Sequence, residues 1–81
     1  MNAQTIKNII QRCSNIFSFE FNGAEGNVDP YYIPEKKSYE YLLFFNGNEQ
    51  IVNDLDSVMD TPFINGYSLS ELAEKISVTE Y

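Results

Sequence analysis

The chain has 81 residues, 43% of them apolar and 15% aromatic, with twelve acidic against five basic side chains, no histidine and a formal charge of −7. This length holds one domain, residues 1–81, whose core is thin because so short a chain buries only about 60–65% of its unfolded surface. The apolar content excludes a disordered chain, and the acidic balance points away from nucleic acid and anionic membranes, which require clustered lysine and arginine.

Ile6, Ile9, Ile10 and Cys13, with Ile16 or Phe17, recur at helical spacing, and Lys7, Asn8, Gln11 and Arg12 fall on the other side. The period predicts an amphipathic helix over Ala3–Asn15 with Cys13 as a small buried hydrophobe. Met1–Asn15 lacks the apolar block of a signal peptide, and no apolar run approaches the roughly 20 residues of a membrane span. A single cysteine allows no internal disulfide. Together these features lead us to expect a cytoplasmic protein.

The period then changes from 3.6 to 2. Phe17, Phe19 and Phe21 alternate with Ser18 and Glu20, which predicts a half-buried strand ending at the tight-turn pair Asn22-Gly23. Asn22–Asn27 reads as a loop or irregular hairpin end. In the segment Val28–Ser38, Pro30 and Pro34 bracket Tyr31, Tyr32 and Ile33. Each proline lacks a donor, so an edge strand or extended loop is expected rather than a central strand.

Tyr39–Phe45 carries the strongest strand pattern. Tyr39, Tyr41, Leu43 and Phe45 share one face, while Leu42 and Phe44 join Glu40 on the other, which predicts a central strand covered at least partly on both sides. Asn46-Gly47-Asn48 turns the chain into a short strand over Glu49–Asn53 with Ile51 as its expected core residue. Asp54–Asp60 reads as a helical turn capped by Asp54 or Asn53, with Leu55, Val58 and Met59 on one face, and Thr61-Pro62 ends it. After the third turn pair, Asn65-Gly66, Ser68 and Glu71 have the spacing of a capping box. A final helix is expected over Leu69–Ile76, followed by a short tail, Ser77–Tyr81, for which extended geometry is left open. The order implies an α+β domain: a small antiparallel sheet of three to four strands flanked by an N-terminal and a C-terminal helix.

Without histidine there is no Ser-His-Asp or Cys-His arrangement and no histidine metal ligand, and the glycines form no phosphate-binding loop. Counted from Asp54 as a calcium loop, position five is Val58 and position six Met59, which do not fit. No catalytic residue, metal or cofactor is therefore expected, and the chain is expected not to be an enzyme. Tyrosines held between prolines lose little entropy on binding, and complementary charge steers association. The expected protein-binding residues are Tyr31, Tyr32 and Glu35 from the proline-bracketed segment, with Asp54, Asp56 and Asp60 as a charged patch. Small size, negative charge and α+β order resemble short phage-encoded inhibitors, toxin-immunity proteins and mobile-element proteins, though no motif ties the chain to one family.

The leading expectation is a small acidic non-enzymatic protein-binding module of a prokaryotic or phage cytoplasm, with a basic protein partner. The alternatives are a small carboxylate-based enzyme or ligand-binding protein and a structural subunit of a larger assembly. A homodimer through a strand edge or helix face is left open.

Overall fold

A computed structural model, describing residues 1–12 and 15–81, shows an α+β architecture of five antiparallel strands and three short helices. Helix α1 (Ala3–Arg12) buries Ile6, Ile9 and Ile10, as the helical period requires. Asn2 caps it, its Oδ1 accepting the Thr5 N–H at 2.8 Å. The proposed burial of Cys13 and the last turn expected of this helix lie outside the described residues, except that Asn15 is exposed and not helical.

Strands β1 (Phe17–Phe21) and β2 (Ala24–Ile33) are joined at Asn22-Gly23, where both residues have positive φ, 52° and 77°, the twist that suits a two-residue hairpin. Strands β3 (Ser38–Phe45) and β4 (Asn48–Val52) are joined in the same way at Asn46-Gly47. Helices α2 (Leu55–Asp60) and α3 (Leu69–Leu72) follow, and β5 (Ser77–Glu80) returns to pair with β1. The sheet order is β4-β3-β2-β1-β5.

The register puts Phe17, Phe19, Val28, Leu43 and Phe45 on one face, where they join Ile6, Ile10, Val58 and Leu69 in a single core. Phe19 lies at its centre, stacked on Phe45 at 6.3 Å and meeting Phe63 edge-on at 6.3 Å. Asp54 caps α2 through a 2.7 Å bond from the Ser57 N–H, and Ser68 with Glu71 forms the expected capping box on α3.

Several expectations are corrected. The sheet has five strands rather than three to four, because the C-terminal tail pairs as β5, so a strand follows the last helix instead of that helix flanking the sheet at the end. Residues 24–27, expected as a loop or irregular hairpin end, belong to β2 in regular register, since the two-residue turn starts the return strand at once. The proline segment, expected as an edge strand or extended loop, continues β2 and is an edge from Asp29 onward. Pairing with β1 ends at Phe17↔Val28, so Pro30 has a partner on β3 alone and its missing donor disrupts no second ladder.

Helix α3 stops at Leu72 rather than Ile76, and Ala73 and Ile76 are buried from the turn that follows. Ile51, expected in the core, is 62% exposed. Its partner Leu42 faces away from the helices, and a period of 2 carries that parity across to β4. For the same reason Leu42 and Phe44 are only half-buried: among the described residues, no element covers the second face of β3.

Candidate interaction surface

All three helices pack on one side of the sheet, leaving the other side open. Reading across β2, β3 and β4, this open face carries the rows Asp29–Leu42–Ile51 and Asn27–Phe44–Glu49, with Tyr31 opposite Glu40. Glu20 stands directly opposite Glu25 on β1 and β2. The result is an apolar centre of Leu42, Phe44 and Ile51 bordered by five carboxylates. Like charges placed directly across a strand pair disfavour the fold, so the Glu20–Glu25 pair is a local electrostatic cost. Among the described residues, Glu20, Glu25, Asp29 and Glu49 form no ion pair.

Glu40 differs from these four. Its Oε2 accepts from Lys36 Nζ at 3.0 Å and its Oε1 from the Tyr31 hydroxyl at 3.1 Å. The Lys36 bond, then that of Tyr31, holds the Glu40 carboxyl below its ordinary range. Partial burial, then the bond to Glu40, pushes the Tyr31 hydroxyl upward. Lys36 reaches this site from the turn after β2, where Lys37 has a φ of 52° and the Lys36 N–H donates to the Ile33 carbonyl.

The structure separates residues that had been expected to act together. Tyr31 and Tyr32 are consecutive in a strand and therefore point to opposite faces. Tyr31 belongs to the open face. Tyr32 is 50% exposed on the helical side, its ring edge-on to Tyr39 at 5.4 Å. Glu35 is exposed in the turn between β2 and β3. Asp54, Asp56 and Asp60 lie on or beside α2, in the helical layer, with the sheet between them and Tyr31.

Each of these three acids has a local role. Asp54 caps α2, and the Ser57 N–H holds its carboxyl low. Asp56 accepts from Lys7 Nζ at 2.7 Å, tying α2 to α1, and that bond raises the lysine. Asp60 Oδ1 sits 3.5 Å from Ser70 Oγ, at the limit of a hydrogen bond. Sequence reasoning missed the open-face group of Leu42, Phe44, Ile51, Glu20, Glu25, Asp29, Glu40 and Glu49. Its signal was the second parity of β3, apolar where a solvent-facing strand is polar.

Among the described residues, a cleft of about 200 Å³ lies between α1 and α2 and includes Lys7, Asp56 and Asp60. Another, of about 330 Å³, runs along β4 and is lined by Asn48, Glu49, Gln50, Pro62 and Phe63 among others. Among the described residues, no three acidic or cysteine side chains converge as a metal site would require. Comparison with protein-family models, curated proteins and solved structures found no match.

Proposed function

We propose that the protein is a small acidic, non-enzymatic binding module that docks a basic protein partner on the open face of its sheet. The carrying observation is the apolar centre of Leu42, Phe44 and Ile51 bordered by Glu20, Glu25, Asp29 and Glu49, which form no ion pair among the described residues. An exposed apolar patch bordered by polar groups is the form an interaction site takes. A cation placed beside Glu20 and Glu25 would relieve their mutual repulsion, which makes a basic partner fit better than a neutral one. Tyr31 adds a flat, hydrogen-bonded aromatic at the border of the patch. The reading fits a prokaryotic or phage cytoplasmic setting and the accessory roles of an inhibitor or immunity protein.

The test is capture of a partner from the native host by the wild-type chain and by surface variants. Ile51→Ser combined with Glu25→Lys should reduce capture on the order of tenfold or more, while Asp56→Asn combined with Asp60→Asn, on the helical side, should leave it near wild type. Tyr31→Ala should weaken capture and Tyr32→Ala should not. Equal capture by the open-face double variant would refute this reading.

A further inference from the structure

The two edges of the sheet differ in how they end. β5 is four residues long and its register with β1 slips between Ser18 and Phe19, which blunts that edge. β4 pairs with β3 in unbroken register from Asn48 to Val52, and its sequence, Asn-Glu-Gln-Ile-Val, has no lysine and no proline to guard it. The two-residue turn at Asn46-Gly47 makes Phe45 and Asn48 the closing hydrogen-bonded pair. Alternation along the ladder then directs the N–H and C=O of Asn48, Gln50 and Val52 toward β3. Those of Glu49 and Ile51 point outward, away from the sheet.

The side chains flanking this edge are unlike on its two faces. Glu49 and Ile51 lie on the open face, while Asn48 and Gln50, with part of Glu49, border the cleft that Pro62 and Phe63 also line. A strand laid along β4 would place alternate side chains beside Glu49 and beside Pro62, which is exposed at the cleft while Phe63 is buried beneath. The first position favours lysine or arginine, and the second gives an aliphatic side chain an apolar contact.

We propose that β4 is a docking strand: an extended segment of a basic partner, alternating basic and aliphatic residues, adds to it as a sixth strand. The inference rests on the binding-module reading and deepens it, naming the backbone of Glu49 and Ile51 as the recognition element. Main-chain hydrogen bonds supply affinity in this mode, and alternate side chains supply specificity. A second copy of the chain fits less well, because each copy brings a formal charge of −7 and another Glu49 to the junction.

The experiment uses the full chain and a short synthetic peptide alternating lysine and valine, with a glutamate–valine peptide as control. Binding of the lysine peptide should slow amide exchange at Glu49 and Ile51 on the order of tenfold or more, and the control should not bind. Ile51→Pro removes an outward N–H without touching the β3 ladder and should weaken binding on the order of tenfold with an unchanged circular dichroism spectrum. Ile51→Thr, which keeps the N–H, should bind more tightly than Ile51→Pro. Binding that leaves Glu49 and Ile51 exchanging freely, or equal losses in the two variants, would overturn strand addition while leaving a docking surface on the open face. Equal binding of the glutamate peptide, or no binding of the lysine peptide, would overturn both readings. Protection at Glu49 and Ile51 without peptide, accompanied by a dimeric mass in light scattering, would assign β4 to self-association and overturn the proposal.

Discussion

At the scale of single residues, Glu40 shows how local pairing sets a titration. Its carboxylate takes one bond from Lys36 and one from Tyr31, and both favour the ionised form. A carboxyl held low in the fold contributes stability that is present above its ordinary value of 4.5 and is lost as pH falls through the lowered folded value. Carbon-detected NMR should therefore find Glu40 titrating below 4.5. Lys36 is the larger influence, so Lys36→Met should return Glu40 further toward normal than Tyr31→Phe does. Equal shifts in the two variants would reject that order. Tyr31 responds with the opposite sign: its raised hydroxyl keeps the neutral form, and the associated stability is lost only as pH climbs through a folded value above 10.

At the scale of elements, the β1–β2 register is set by one glycine as well as by the turn. Gly26 sits opposite Phe19, and a Cβ added there would run into the Phe19 ring, which Phe45 and Phe63 already confine. Gly26→Ala gains about 0.4–1 kcal/mol from a less flexible unfolded chain, but overpacking a filled core costs about 1–3 kcal/mol. The collision should dominate, lowering the melting temperature by about 4–8 °C for each net kcal/mol. An unchanged or higher melting temperature would mean that the ring can move aside.

The same elements show what could be read beforehand. The alternating phenylalanines, the Asn-Gly turns and the Ser68–Glu71 capping box act over a few neighbours, so spacing alone revealed them. Strand β5, open only as an extended tail, depends on pairing with the distant β1, whereas residues 24–27 pair locally across the hairpin and were obscured by the glycines and polar residues of Asn22–Asn27. Pro30 pointed to an edge position, but that β2 is central up to Val28 and an edge beyond it depends on β1 beginning at Phe17, which no local pattern shows. Ile51 was placed in the core because its hydrophobicity was visible and its parity relative to Leu42 was not. The site suffered in the same way. Tyr31 could be singled out from its flanking prolines, but its separation from Tyr32 and from the α2 acids follows from how the strands face.

At the scale of the whole molecule, charge and the open apolar face act against each other. At pH 7 a net charge of −7 opposes contact between copies, although Ile51 is 62% exposed and Leu42 and Phe44 are half-buried beside it. Near the sequence isoelectric point of about 4.2 that repulsion vanishes. Light scattering should then show a dispersed chain at pH 7 and association around pH 4. The association should be reversible, and Ile51→Ser, which removes apolar surface without altering charge, should suppress it. Circular dichroism at the same pH separates this behaviour from acid unfolding, because association through the open face leaves the strands and helices in place. If Ile51→Ser associates as readily as the wild-type chain with its spectrum unchanged, the contact lies elsewhere on the surface. The open sheet face would then lose its standing as the adhesive part of the molecule.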